Sequence, residues 1–256
     1  RDPVIKAAEA GADILVEKPL ATDLNEAKEM QTAVEDNGVR AQVCFANRYN
    51  QPFVVAKREV EQGTIGNILS VKAWLNDSIE VPTSMLSWAG KSSPGWFLMS
   101  HTYDLARWLI DSPPTEVYAT GVKNQLVERG IDTFDSLNAS ISFGEDCHVF
   151  LESCWVLPEG EPQIFDFKFE VIGSKGKITI DSQDQMLQLT TDQHEYKNTL
   201  DTEVSGVLLG QTTNNFRAFI NALDEKKEVS PSVQEGVDNV KVLQKIHKSA
   251  ENNRVV

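Results

Sequence analysis

Cysteine is scarce in this sequence and unpaired in its spacing. Cys44, Cys147 and Cys154 contain no Cys-x-x-Cys, so neither a disulfide framework nor a thiolate metal site is encoded, and reduced, mostly buried thiols are expected. Histidine is equally sparse. His101, His148, His194 and His247 show no paired ligand spacing, and no metal is expected. Positive charge is short as well: 24 Lys and Arg against 38 Asp and Glu give a formal net charge of −14. That argues against nucleic acid or an anionic membrane as the main partner, because both are bound by concentrated cations that displace counterions. No apolar run approaches the ~18 residues of a membrane-crossing helix, and no signal-like segment opens the chain. A cytoplasmic protein is the expectation. A glycine-rich Gly-x-Gly-x-x-Gly turn is also missing.

What is present is an ordinary globular composition, 256 residues with 41% apolar side chains, enough for one large domain or two small ones. Asp2-Pro3 reads as an N-cap followed by proline at the first helical position, with Gly11 as the stop. Ile14-Leu15-Val16 is a short, unalternating apolar run, the mark of a parallel strand covered on both faces. A second helix follows, opened by Asp23 and Glu26 and closed by Asn37-Gly38, then a strand from Gln42 to Phe45. Helix, strand, helix, strand is the second half of a doubly wound unit, in which ligands bind at the carboxyl ends of strands. Glu17, Lys18, Asn47 and Arg48 all fall there.

Beyond residue 50 the pattern changes. A helix from Phe53 to Gln62 precedes strands near Ile68–Leu75, Glu116–Val122, Ser136–Phe143, His148–Trp155, Phe165–Ile172, Lys177–Ile180 and Met186–Leu189, an antiparallel sheet. Helices near Thr213–Leu223 and Val233–Asn252 close the chain, the last capped by Ser232 and Glu235. The expected fold is therefore α/β: residues 1–50 as the second half of a Rossmann-type sheet, and residues 51–256 as an α+β domain with a large, open, mainly antiparallel sheet.

Lys18 at a strand end can polarise a hydroxyl or, once desolvated, act as a base; the plainer alternative is a solvated lysine in a turn. Pro19 beside it allows a cis Lys18-Pro19 bond that would re-aim the lysine. Met99 to Leu109 reads as a helix carrying His101, Asp104, Leu105 and Trp108 on one face. There His101 is either a core imidazole held by Asp104 or a group that exchanges a proton with substrate while Asp104 fixes its tautomer. The stretch between Asn76 and Gly95 has no clear period, and loops of that length are usually functional or disordered. Trp88 and Trp96 favour a substrate-covering loop or a sugar-stacking surface, with a packed loop as the alternative.

These segments resemble the glucose-fructose oxidoreductase and inositol dehydrogenase family. Ala7 to Leu20 is similar to its AxxAGxxVxVEKPLA segment, Val43 to Tyr49 to the strand before its asparagine-arginine turn, and Gly63 to Ile68 to its GxIGxI pattern. His101 to Leu109 is similar to its HxxDLxxWL helix, Glu170 to Ile178 to its strand-GSKG-strand hairpin, and Pro231 to Gly236 to the start of its final helix. The resemblance implies an NAD- or NADP-dependent enzyme acting on a sugar, polyol or cyclitol, with homo-oligomer contacts through the C-terminal sheet; no nucleic-acid or membrane partner is expected, on the charge given above. The resemblance also implies that Lys18 sits between nicotinamide and substrate, that Glu17 and Pro19 shape the cofactor edge, and that His101 contacts the reacting hydroxyl or carbonyl; Asn47 and Arg48, at the end of the second strand, are further candidates for cofactor binding. Trp88, Trp96 and Asp104 complete the expected substrate contacts.

Two departures stand out. The family commonly places an aspartate one helical turn before the histidine, where this chain has Phe97, and a glycine where it has Met99. The family's opening strand, glycine-rich turn and ribose-reading acid are also missing, so an N-terminally truncated chain, inactive alone, is the expectation. Two other readings remain open from sequence: a non-enzymatic sugar-binding or interaction protein that has lost cofactor binding, and an NAD-dependent glycosidase of the same fold.

Overall fold

The computed structural model describes residues 1–183, 187–191, 194–197 and 199–256. The elements begin α1 (Asp2–Glu9), β1 (Ile14–Val16), α2 (Leu24–Asp36), β2 (Ala41–Val43), α3 (Gln51–Glu61) and β3 (Ile68–Ser78). They continue α4 (Ser100–Ile110), β4 (Glu116–Val122), α5 (Gln125–Glu128), β5 (Ser136–Phe143), β6 (Cys147–Leu157), β7 (Phe165–Gly173) and β8 (Lys177–Asp181). The chain closes with β9 (Gln188–Thr190), β10 (His194–Tyr196), β11 (Asp201–Val204), β12 (Val207–Gly210), α6 (Gln211–Asp224) and α7 (Val233–Asn252). Met186, where a strand was expected to begin, lies outside the described residues.

Two compact units result: residues 1–51 with 200–244, and residues 52–199 with 245–256. Residues 200–244 pack with the N-terminal segment because their polar groups complete it. The Val43 amide donates to the Pro231 carbonyl at 3.0 Å, so the segment before α7 runs antiparallel along β2. The Gln42 carboxamide donates to Asn215 Oδ1 at 2.7 Å, both residues being buried.

In the first unit β1 and β2 are parallel, with Ile14 opposite Ala41 and Val16 opposite Val43. Asp23 stands at the N-cap of α2, its carboxylate accepting the amides of Asn25 and Glu26, and Gly38 takes the left-handed φ of 62° that ends the helix. At α1 the cap position is Arg1 rather than Asp2; Asp2 lies inside the first turn and pairs with the Arg1 guanidinium at 2.8 Å. Ala27, Met30 and Val34 on α2 and Val4 and Ala8 on α1 are buried, one apolar stripe from each helix.

The second unit is built on a six-stranded sheet ordered β4-β5-β6-β3-β7-β8, in which only β3 and β6 pair parallel. Burial alternates along most of the long strands: Leu137, Ala139 and Ile141 of β5 are covered, while Asn138 is exposed; at the end of β3 it gives way to four buried residues in a row, Leu75 to Ser78. One face of the sheet is thus the core and the other is open. α3 seals the core with Phe53, fully buried, stacked on Phe167 and edge-on to Phe169, each at 5.5 Å between centroids. Burying that ring stabilises the unit by about 2–3 kcal/mol.

Candidate active site

At the carboxyl end of β1, Glu17 is exposed and Lys18 and Pro19 are half-buried, with the Lys18-Pro19 peptide cis. Leu20 then returns to the core, 5% exposed, and packs against α7, since a Cβ on Gly236 would lie 3.2 Å from its Cδ2. The turn that carries Lys18 is therefore pinned between a strand and a buried leucine.

At the same end of β2, residues Ala46–Tyr49 form a 3₁₀ turn in which Asn47 and Arg48 are buried. Arg48 donates to Glu235 Oε1 at 2.7 Å, its side chain only 5% exposed, and its guanidinium lies over the Phe45 ring at 5.8 Å. Burial acts to raise the Glu235 pKa, but the Arg48 charge and the hydrogen bonds from Ser232 and Arg48 outweigh it and hold the carboxyl below its ordinary value. The Ser232 amide donates to Glu235 Oε2 at 2.8 Å while the Glu235 amide donates back to Ser232 Oγ at 3.3 Å. One carboxylate thus both starts α7 and neutralises the arginine after β2. The Tyr49 hydroxyl donates to the Ser230 carbonyl, and burial pushes its pKa up to about 12.

In the second unit the segment after β3 is ordered. Val81–Met85 and Gly95–Met99 are π turns, and the second runs without a break into α4. Single π turns of this kind recur at functional sites. His101 is half-buried and Asp104 is 3% exposed on the same helix, whose Trp108 carbonyl accepts from Lys57 Nζ at 2.8 Å. Phe97 lies between two indoles, 5.7 Å from Trp88 and 5.8 Å from Trp155. Trp88 keeps 43% of its surface in solvent. Trp96 does not: at 8% exposure it is stacked on the imidazole of His247, so it lies beneath this aromatic wall and Trp88 forms its exposed part.

The structure thus gathers Glu17, Lys18, Pro19, Asn47 and Arg48 at one end of the parallel pair. Trp88, Phe97, His101 and Asp104 lie on the loop and helix that follow β3 in the other unit. Among the described residues no group of three or more His, Cys, Asp and Glu is placed to hold a metal ion, and no helix is long and apolar enough to cross a membrane. Sequence reasoning missed the Arg48–Glu235 pair and the Ser93–His247 contact. Ser93-Pro94 was a helix-start signal, since serine before a proline in the first turn caps a helix. His247 continues the spacing of buried Val240 and Leu243 on α7, which marks it as inward-facing.

Two family models match the chain. Residues 1–45 match the oxidoreductase family, NAD-binding Rossmann fold, and residues 57–256 match the oxidoreductase family, C-terminal alpha/beta domain. The chain is 34% identical over 183 residues to scyllo-inositol 2-dehydrogenase (NAD(+)) of Bacillus subtilis, covering 70% of this chain and 51% of that protein. It is 36% identical over 135 residues to levoglucosan dehydrogenase of Pseudarthrobacter phenanthrenivorans, covering 49% of this chain and 34% of that protein. The chain thus spans about half or less of the length of these relatives. Its fold matches scyllo-inositol dehydrogenase from Lactobacillus casei, solved with bound NAD(H) and scyllo-inositol, at a TM-score of 0.80 and 18% identity over all of this chain and 76% of that one.

Proposed function

Because this chain belongs to the GFO_IDH_MocA oxidoreductase family, we propose that it carries the catalytic residues of a dehydrogenase for a cyclitol, sugar or polyol, using NAD or NADP. The observation that carries the reading is a lysine held half-buried at the carboxyl end of a parallel strand, in a segment matching the family's NAD-binding model. A bound nicotinamide would accept a hydride from the substrate carbon or return one to it.

The residues present fit the nicotinamide and ribose end of such a cofactor. Lys18 and Asn47 offer an ammonium and a carboxamide, which suit hydroxyl and amide ligands, while the Arg48 charge is already met by Glu235. Arg48 therefore supports the cofactor edge mainly by holding the turn that presents Asn47, and Glu17 and Pro19 border it. Lys18, as the ammonium, donates to the substrate oxygen; as the free amine, it takes the hydroxyl proton when the carbon is oxidised. His101 contacts the substrate hydroxyl, with buried Asp104 fixing the orientation of its helix face, and Trp88 offers an apolar ring to one face of the sugar. The open sheet face is the proposed contact between copies of the chain, and the cytoplasm the proposed location.

A panel of cyclitols, aldoses and polyols assayed with both cofactors on the full-length protein tests this reading. Turnover of at least one with NAD or NADP is expected, and His101→Ala should lower activity unevenly across the panel because it removes a substrate contact. Binding of the sugars without turnover by either cofactor would replace the dehydrogenase reading with a binding protein.

A further inference from the structure

The roles above leave His247 unused, although its surroundings are built with care. Its Nε2 lies 2.6 Å from the hydroxyl of Ser93, a residue 3% exposed. That hydroxyl also accepts the Trp96 amide at 3.1 Å, which leaves its own proton available for Nε2. The Trp96 ring lies flat on the imidazole, 4.6 Å between centroids and 12° from parallel, and Phe134 meets it edge-on at 6.3 Å. A Cβ on Gly95 would stand 2.8 Å from His247 Cε1 and 2.7 Å from Leu137 Cδ1, so a side chain there would collide with both. The neighbouring Ser92 carbonyl accepts from Thr133 Oγ1 at 2.5 Å.

These contacts all converge on residues 92–96, where the π turn Gly95–Met99 begins. A single π turn is a local departure from the α-helix it joins, and here its entry is contacted from outside the helix by His247, Thr133 and Leu137. Its shape decides where Phe97 points and how His101, two residues beyond its end, is directed.

We propose that His247 is a positioning residue: through Ser93 and Trp96 it fixes the π turn that orients Phe97 and His101, without touching substrate. Its kinetic consequences rest on the dehydrogenase reading; its structural consequences do not. No covalent step is involved. The dyad is not an activated nucleophile either, since Ser93 is buried and its oxygen is occupied by the Trp96 amide.

The test uses the full-length protein with Ser93→Ala, Ser93→Thr, His247→Gln and the Ser93→Ala/His247→Gln double variant. Turnover of the best polyol, affinity for NAD(H) and amide hydrogen exchange are measured in each. Ser93→Ala and His247→Gln are each expected to lower kcat about tenfold through misplacement of the reacting group. NAD(H) affinity should be unchanged, and faster exchange should be confined to the amides of residues 96–101. The double variant should be no worse than the poorer single within about twofold, because the two side chains act as one unit, and Ser93→Thr should restore turnover. A lower melting temperature with unchanged kcat would reduce the contact to packing, and multiplying losses in the double variant would break the proposed coupling; either overturns the proposal. If the wild type turns over no polyol or sugar with either cofactor, the dehydrogenase reading falls instead. Exchange then decides alone, and unchanged exchange at residues 96–101 in Ser93→Ala overturns the positioning role.

Discussion

Glu235 shows how one side chain can serve two structural ends. Its carboxylate is held below its ordinary pKa by Arg48 and Ser232 against the opposing pull of burial. A carboxyl with a depressed folded-state pKa contributes stability above its unfolded value, near 4.5, and loses it as pH falls through the folded value. Glu235→Gln removes the carboxylate charge beside buried Arg48 and should cost about 3 kcal/mol at pH 7. Urea unfolding across pH 3 to 7 should show the wild type losing this increment on the acid side and the variant lacking it throughout. Sequence revealed Glu235 as a cap, because the Ser232-to-Glu235 spacing is local. It could not reveal the arginine, which lies 187 residues away in the chain. The places of Lys18 after a strand and of His101 on a helix were legible for the same reason that Glu235 was a cap: each sits in a short segment with a local pattern.

At the scale of elements, legibility followed burial. The long strands β4 to β8 alternate inside and outside, and each was located within two residues. Short β10, β11 and β12 carry no such alternation; all but three of their residues are exposed and none is buried, so no buried face left an imprint. The π turns were not anticipated because no local residue pattern separates them from an ordinary helical turn; under the proposal above, the Ser93–His247 contact holds the second of them. α7 supplies a case in which magnitudes decide. Gly236 is the fourth residue of α7, and alanine in place of a helical glycine ordinarily gains up to about 1 kcal/mol. At Gly236, however, a Cβ would sit 2.8 Å from Val43 Cγ2 and 3.2 Å from Leu20 Cδ2. Overpacking of this kind costs about 1–3 kcal/mol, so Gly236→Ala should be net destabilising by roughly 1 kcal/mol in chemical denaturation. A stabilised variant would mean that α7 can move away from β2 freely.

For the whole molecule, the open face of the six-stranded sheet is the feature most exposed to consequence. Phe150 and Tyr118, 46% and 39% exposed, stand on it with Trp74, while Lys72 and Glu152 supply charge around them. An aromatic centre with a polar rim is what a contact between copies would use. Phe150→Glu should shift the protein toward monomer in light scattering, and an unchanged mass would remove this face from the interface. The chain's return to its first unit was not legible from composition. Residues 200–244 rejoin residues 1–51 through the Gln42–Asn215 and Val43–Pro231 hydrogen bonds, and neither pairing has a local signal.

Lys18 remains the residue on which the functional account depends. The direct measurement is steady-state turnover and NAD(H) affinity of Lys18→Ala against wild type in the full-length protein, using the best substrate of the panel. Loss of the group that handles the hydroxyl proton should lower kcat by about a hundredfold or more while the dissociation constant for NAD(H) changes less than about threefold. Unchanged turnover would contradict the account.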